Sequence, residues 1–565
     1  MVLETAGARA EDPGAWAGWL ERVQRMRDRL GWPPGETRLR PHRGAAALAF
    51  TAPVDLLYTA TEVNEWALLA ACGVHAFHAP GHPASWDEAA AYRCLERLAA
   101  EEAKPRLREL VARADARSLP VLADDDALTL GMGVHGRTWP MDQLPSPDDV
   151  DWRALDAVPT ALVTGSNGKT TTVRLLAAML RAHGWTSGHS CTDGVFVGGG
   201  QVASGDYSGP GGARAVLRDP RVQAAVLETA RGGLLRRGLA VTRANAAAVT
   251  NISADHFGEY GIFDVAALAD AKLTVARALG PDGLLVVNAD DDVLAARAKG
   301  CASRYAWFAR EHEHPALVAH RAEGGSTCAV RDGVLQLDAG GESFALADVA
   351  TMPLAAGGHA AYNIGNAAAA SLLAHELGVP AATLAAVLAR FGSDPSDNPG
   401  RLERWAFGGL RIFLDYAHNP DGLRGLLRVA RADASGRLGL LLGQAGNRGE
   451  PEIRALAAVA AEAKPDRVVL KDIDGYLRGR DEGEVAAVLG DELLRQGLGP
   501  DQVRTCLPEL GATRELLSWS QPGDVLVMPV HSLTARAAVQ SLLDHLAASH
   551  WLPGTPLPPH PGGPS

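Results

Sequence analysis

The sequence predicts an α/β protein of three domains, with a phosphate-binding loop in the central one, a smaller α/β domain after it and an α+β domain before it. Three observations carry this. Ala161-Leu-Val-Thr-Gly-Ser-Asn-Gly-Lys-Thr-Thr-Thr172 reads as a short buried strand and a glycine-containing loop, and apolar residues then recur at Val173, Leu176, Ala177 and Leu180 with helical spacing. Short apolar runs alternate with helical patterns on both sides of a turn-forming stretch at 392–400, the signature of mainly parallel sheets covered by helices. A chain of 565 residues is also too long for one hydrophobic core.

From the start of the chain, Trp16, Trp19, Leu20, Val23, Met26 and Leu30 predict a packing helix over 12–30, closed by Gly31-Trp-Pro-Pro. A strand follows at 46–51, then helical segments from Glu62-Val-Asn-Glu-Trp66 onward, broken near Pro105. Gly133-Val-His-Gly-Arg-Thr-Trp-Pro140 and the Pro/Asp-rich 144–151 read as a connection, so the first domain is placed at 1–157. The central domain, 158–396, continues through strand-like runs ending at Glu228, Asn251 and Asn288, a β-meander across 328–346, and alanine-rich helices from Ile364 to about Ala389. The third, 397–550, has strands at 410–414, 438–442, 467–470 and 525–528. The Pro/Gly-rich tail, 551–565, is expected to be disordered.

Composition narrows the function. The net charge of −12 gives no footprint for nucleic acid. No run of about 18 apolar residues predicts a membrane span, and no leader pattern opens the chain, so the expected location is the cytoplasm. Six scattered cysteines argue against a disulfide framework or zinc site and are read as small buried residues. Only six lysines stand beside 48 arginines, which draws attention to Lys169 and Lys272 as positions whose chemistry arginine cannot replace.

The loop itself points to ATP. Backbone N–H groups at a helix N-terminus bind anions, and glycines allow close approach to phosphate. Gly165, Ser166, Asn167, Gly168, Lys169, Thr170 and Thr171 are the binding candidates, with Lys169 reaching the terminal phosphates and Thr170 ligating Mg2+. The strict motif would carry Gly at position 163, where this chain has Val. Glu228 ends a strand and can share the metal with Thr170; His256, in Asn251-Ile-Ser-Ala-Asp-His256, is a second candidate ligand. Asn363 and Asn366 offer amides to a base, Arg401 a forked donor to phosphate, and Asp415 and His418 a carboxylate and an imidazole facing ribose and phosphate.

In order, Gly165-Ser-Asn-Gly-Lys-Thr170, Glu228, Asn251-Ile-Ser-Ala-Asp-His256, Lys272, Asn288-Ala-Asp-Asp, Asn363/Asn366, Gly400-Arg401 and Asp415-Tyr-Ala-His-Asn-Pro420 resemble the Mur ligase superfamily over about residues 158–545. Gly205-Asp-Tyr-Ser-Gly-Pro210, Leu217-Arg-Asp-Pro, Leu227-Glu-Thr-Ala-Arg-Gly-Gly-Leu-Leu-Arg236, Asn398-Pro-Gly-Arg-Leu402 and Arg478-Gly-Arg-Asp-Glu-Gly-Glu484 narrow the likeness to the ligase half of cyanophycin synthetases. Residues 1–157 resemble that family's N-terminal domain, whereas its ATP-grasp domain has no counterpart between Asp151 and the phosphate loop.

The resemblance implies a three-domain ligase that uses ATP and Mg2+ to make an acyl phosphate, which the amine of an amino acid then converts to an amide. It implies catalytic roles for Lys169, Glu228, His256 and Lys272, metal ligation by Thr170, Glu228, His256 and Lys272, and carbamylation of Lys272. It places Arg478, Arg480 and Glu484 near the incoming amino acid. The implied substrates are amino acids or peptides, with arginine joined to an aspartyl peptide as one form; the implied partners are further copies of the chain or a cyanophycin-type synthetase. Gly443-Gln-Ala-Gly-Asn-Arg-Gly449 departs from that family's Pro-Gly-Asp-Arg type of loop, which bears on amine choice. Peptidoglycan-type and folylpolyglutamate-type ligases, and a non-catalytic partner retaining the fold, are the competing readings.

Overall fold

A computed structural model describes residues 1–5, 11–42, 44–74, 87–254, 257–302, 304–432 and 436–558. In the N-terminal region the strand Ala45–Phe50 lies between Val2–Glu4 and Thr37–His42, all antiparallel. Helices Pro13–Arg29 and Leu57–Ala71 pair beside this sheet. Trp19, Val23 and Met26 from the first and Val63, Trp66 and Ala67 from the second share one buried cluster with Leu48 and Phe50. The indole of Trp19 donates to Asn64 Oδ1 at 2.7 Å, so these two polar side chains carried into the core satisfy one another.

Residues 133–140 are not the loose connection expected from their Gly and Pro content. Arg137–Pro140 is a strand pairing with Ala127–Leu130, which also pairs with Val121–Ala123. This small sheet is fixed to the central domain: Val134 N donates to Val222 O at 2.9 Å, and Arg218 reaches Asp124 Oδ2 at 2.6 Å and Ala127 O at 3.0 Å. Four residues flanked by turn formers carry too little periodicity to announce a strand, and the pairing partner supplies the missing information.

The central sheet runs, edge to edge, Gly200–Ser204, Gly194–Val197, Ser187–Cys191, Ala224–Glu228, Thr160–Thr164, Ala244–Val249, Leu279–Asn288, Arg304–Glu311, Thr327–Arg331, Val334–Ala339 and Glu342–Asp348. The strands from Ser187–Cys191 to Thr327–Arg331 are parallel; antiparallel hairpins extend both edges. Strands buried on both faces read as continuous apolar runs because helices cover each side. Helix Lys169–Ala182 is buried from Thr170 through Leu180 and packs against helix Ala361–Glu376. Each fully buried Leu of that interface, such as Leu175 or Leu176, contributes about 2 kcal/mol.

The third sheet orders Glu403–Phe407, Leu410–Asp415, Val525–Pro529, Leu438–Leu442, Arg467–Leu470 and Val503–Thr505, parallel except for its first strand. Strands Thr160–Thr164, Ala224–Glu228 and Leu410–Asp415 deliver their carboxyl ends to the seam between the central and C-terminal sheets, which is where an α/β sheet collects ligands.

The tail expected to be disordered is packed over its described part. Trp551 is buried in the cluster of Leu410, Leu526 and Leu546, its indole donates to Pro556 O at 3.2 Å, and Arg514 donates to Pro558 O at 3.2 Å. One tryptophan outweighs the composition of its neighbours. Among the cysteines, Cys301 is exposed rather than a small buried residue.

Candidate active site

The phosphate loop owes its shape to two glycines. Gly165 has φ +147° and Gly168 φ +84°; a Cβ would sit 1.9 Å from Thr250 Oγ1 at the first and 2.1 Å from Asn366 Oδ1 at the second. Cross-loop hydrogen bonds then set its frame. Asn167 N donates to Asn251 Oδ1 (2.9 Å), Asn251 Nδ2 and Thr250 Oγ1 donate to Asn167 O (3.0 and 2.6 Å), and Ser166 N donates to Asn251 O (2.9 Å). Gly168 is the N-cap of helix Lys169–Ala182, so the loop amides and the positive end of the helix dipole face one cleft.

That cleft, about 340 Å³, is lined by Ser166–Thr171 from the loop, by Glu228, Asn363 and Asn366 from the central domain, and by Arg401, Asp415 and His418 from the C-terminal domain. Thr170 Oγ1 donates to Glu228 Oε2 at 2.8 Å and Thr192 Oγ1 to Glu228 Oε1 at 3.1 Å. Glu228 is buried, and desolvation pushes its carboxyl up against the opposing pull of Lys169. A hydroxyl and a carboxylate converging beside a phosphate loop suit Mg2+, which takes one or two protein oxygens and fills its octahedron with phosphate and water. Among the described residues no group of three or more His, Cys, Asp or Glu is arranged to hold a metal. His256 lies outside the described residues.

Lys169 Nζ donates to Gly165 O (3.1 Å) and Ser166 O (3.0 Å), folded back on its own loop. Lys272, buried on helix Val265–Leu273, donates from Nζ to the same Gly165 carbonyl at 2.8 Å. Arg401 lies over the Tyr416 ring, 4.2 Å from its centroid, with Nη2 3.5 Å from Thr170 Oγ1. Asp415 accepts Leu402 N at 2.7 Å, and burial pushes its carboxyl up. His418 Nδ1 is 3.1 Å from Tyr416 O.

Asn363 and Asn366, expected to offer amides to a base, line the cleft and are also bonded within the protein. Asn363 Nδ2 donates to Leu354 O at 3.0 Å, and its Oδ1 accepts from Asn366 Nδ2 at 3.2 Å. Both are buried, so much of their donor and acceptor capacity serves the helix start that presses on Gly168.

A second cleft of about 590 Å³ meets the first at Ser166, Lys169 and His418. Arg231, Arg236, Arg237 and Arg478 line it, with Asp206, Glu259, Asn447 and Lys272. Arg231 pairs with Glu259, whose other oxygen accepts Asn447 Nδ2 at 2.9 Å across the seam. Of the residues expected near an incoming amino acid, Arg478 lines this cleft. Arg480 instead braces the 443–449 loop, donating to Gly446 O (2.9 Å) and Arg448 O (3.1 Å), and pairs with Glu484.

Several participants were not among the expected site residues, although Asn419 and Asn398 lie inside the motifs that carry the resemblance. Thr192 reaches Glu228 from a hairpin turn, Asn419 donates to Asn167 Oδ1 (2.9 Å), and Asn398 donates to Thr171 Oγ1 (3.2 Å), the last two across the seam. Beneath the Asp415 loop, Lys471 donates to Glu509 Oε1 at 2.7 Å, and His531 Nε2 is 3.1 Å from Ala417 O. Burial and the Lys471 charge push the His531 imidazole down to about 4.

The chain matches two family descriptions: Mur ligase middle domain over residues 163–374, and Mur ligase, glutamate ligase domain over residues 400–529. Cyanophycin synthetase of Trichormus variabilis is 37% identical over 332 residues, 59% of this chain and 37% of that protein. The chain thus spans little more than a third of that relative's length. UDP-N-acetylmuramoyl-L-alanyl-D-glutamate–2,6-diaminopimelate ligase of Xanthomonas campestris is 29% identical over 375 residues, 65% of this chain and 70% of that one. The structure of Mycobacterium tuberculosis folylpolyglutamate synthase complexed with ADP and AMPPCP covers 68% of this chain and 91% of that chain at 20% identity and a TM-score of 0.50, a likeness of fold. With both domain matches falling on the two sheets that form the seam, the chain belongs to the Mur ligase superfamily and carries its middle and C-terminal domains.

Proposed function

We propose that the chain is an ATP-dependent ligase of cyanophycin-synthetase type, joining the amine of an amino acid, arginine foremost, to a side-chain carboxylate of an aspartyl peptide. One observation supports this above the rest: a phosphate-loop cleft and an arginine-lined cleft open onto the same end of the loop, at Ser166 and Lys169. A phosphate donor in the first and a carboxylate in the second would meet there.

In this reading the loop amides and Lys169 hold the terminal phosphates, and Arg401 faces them from the C-terminal domain. An acceptor carboxylate oxygen attacks the γ-phosphorus as the bond to the ADP oxygen breaks, giving an acyl phosphate. The amine nitrogen then attacks the acyl carbon, phosphate departs with the bonding electrons, and the amine proton passes to solvent. Thr170 and Glu228 would hold Mg2+, which when bound neutralises phosphate charge. The protein's contribution is positioning and electrostatic stabilisation.

Carbamylation of Lys272 belongs to the same proposal. A carbamate retains one N–H, so the bond to Gly165 O survives while the group becomes anionic; intact-protein mass with and without bicarbonate tests for the added CO2. The domain limits 1–157, 158–396 and 397–550 and the cytoplasmic location are part of this reading; no helix among the described residues is long and apolar enough to cross a membrane.

The deciding experiment measures phosphate release from Mg-ATP with amino acids crossed against aspartyl and glutamyl peptides, nucleotide-linked peptides and folates, for wild type and Lys169→Ala. Release that requires one arginine–aspartyl pair and is lost in the variant supports the reading. Release with another pair reassigns the substrates, and turnover unaffected by Lys169→Ala removes the ligase mechanism.

A further inference from the structure

Three arginines converge on one buried aspartate at the seam. Asp193 sits in the turn between strands Ser187–Cys191 and Gly194–Val197. Its Oδ2 pairs with Arg174 Nη2 at 2.8 Å, from the helix that begins in the phosphate loop. Its Oδ1 pairs with Arg536 Nη2 at 2.6 Å, from the last helix of the C-terminal domain. Arg401 Nη2 stands 4.0 Å from Oδ2. Asp193, Arg174 and Arg536 are each at most 5% exposed.

Arg174 also donates to Pro399 O at 3.0 Å, and Gly400 lies so close to Arg536 that a Cβ there would be 2.2 Å from its Nη1. The guanidinium of Arg536 is therefore threaded past the hinge that carries Arg401. Among the described residues Asp193 is the carboxylate ion-paired with both Arg174 and Arg536, while Glu403 lies near Arg536 alone. Without its charge, buried Arg174 and Arg536 face one another across the seam with no shared counter-ion, and removing one member of such a cluster leaves uncompensated charge.

We propose that Asp193 is a positioning residue for the reaction: the shared counter-ion that lets Arg536 and Arg401 of the C-terminal domain approach Arg174 of the central domain, seating Arg401 at Thr170. It touches neither phosphate nor metal. It acts through Arg401, whose Nη2 is 3.5 Å from the hydroxyl that donates to Glu228, and through its neighbour Thr192, which donates to the same carboxylate. The role in catalysis rests on the ligase reading; the role in domain docking does not.

The experiment therefore reads docking and turnover separately on the full chain. Hydrogen exchange is followed at the amides of 400–402 and 532–536, with strands Thr160–Thr164 and Val525–Pro529 as internal references, in wild type, Asp193→Asn, Asp193→Glu, Arg536→Gln and the Asp193→Asn/Arg536→Gln pair. In Asp193→Asn and in Arg536→Gln, seam amides should exchange about tenfold faster while the reference strands stay protected, and the double variant should exceed neither single one. Where wild type turns over ATP, kcat in Asp193→Asn should fall about 100-fold with the KM for ATP changed less than about threefold, and Asp193→Glu should recover part of kcat. Unchanged exchange at the seam in both single variants overturns the proposal. If Asp193→Asn loses protection in the reference strands as well, Arg536→Gln decides, since it leaves the Asp193–Arg174 pair of the central domain in place. Faster seam exchange in a protein whose wild type shows no turnover supports the docking role and counts against the ligase reading alone.

Discussion

The two clefts that meet at Lys169 are built on opposite principles. The nucleotide-side cleft is made of backbone amides, hydroxyls and carboxylates already bonded to one another: Asn167 with Asn251 and Thr250, Thr170 with Glu228, Asp415 with Leu402 N. The other is fringed by long exposed cations, Arg236, Arg237 and Arg478, beside the buried and bonded Arg231 and Lys272. A pre-bonded site fits a ligand of fixed shape, such as a triphosphate, at little reorganisation. A fringe of exposed cations selects charge rather than shape, which suits a carboxylate-bearing chain. The difference predicts that damage to the first cleft abolishes turnover and damage to the second changes preference.

The largest expected effect is on Lys169. Lys169→Ala should lower ATP turnover about 1000-fold with the fold intact, measured by phosphate release beside the circular dichroism spectrum. Residual turnover within about tenfold of wild type would break the division between the clefts at its strongest point.

Glu228→Gln comes next. The amide keeps the shape and can still accept from Thr170 or Thr192, but loses the anion, so turnover should drop about 100-fold and the Mg2+ concentration for half-maximal rate should rise. A rate loss with an unmoved Mg2+ requirement would separate Glu228 from the metal.

In the second cleft, Arg237→Ala should raise the KM for an acidic acceptor about tenfold and leave the KM for ATP unchanged, and the acceptor effect should shrink at high salt. A change in ATP affinity instead would show that one ligand spans both spaces.

The smallest effect is on stability. The folded His531 imidazole has its pKa depressed from 6.5 to about 4, so between these values the unfolded chain binds more protons than the folded one. Stability should therefore fall as pH drops from about 6.5 to 4, by on the order of 3 kcal/mol, and level off below. His531→Gln should flatten that slope in denaturant titrations. Asp193, held at about 2 by Arg401, Arg174 and Arg536 against desolvation, stays ionised throughout this window, so its contribution is lost only as pH falls from about 3.8 through 2.

Much of the nucleotide side was legible before any coordinates. Gly165 and Gly168 are spaced as a phosphate loop requires, Glu228 and Asp415 end apolar runs, and the end of a run in an α/β pattern is a place in the fold as well as in the chain. Asn363 and Asn366 show the limit of that logic: a side-chain amide says it will bond, not to what, and here each lines the cleft while also donating to Leu354 O or to the neighbouring amide. Residues 551–558 and 133–140 were misread for a related reason, since Pro and Gly content reports local freedom and not the tertiary partner that removes it.

The sequence by itself determined the class of fold and the strand, loop and helix unit around Gly165 and Gly168, because periodicity and glycine spacing are local quantities. Only the tertiary structure decided that Arg231, Arg236, Arg237 and Arg478 form one fringe, that Thr192 serves Glu228, and that Asp193 gathers arginines from 174, 401 and 536. Those groupings depend on which strand ends the sheets bring to one seam, and a buried charge finds its partner in space, where low dielectric makes pairing compulsory.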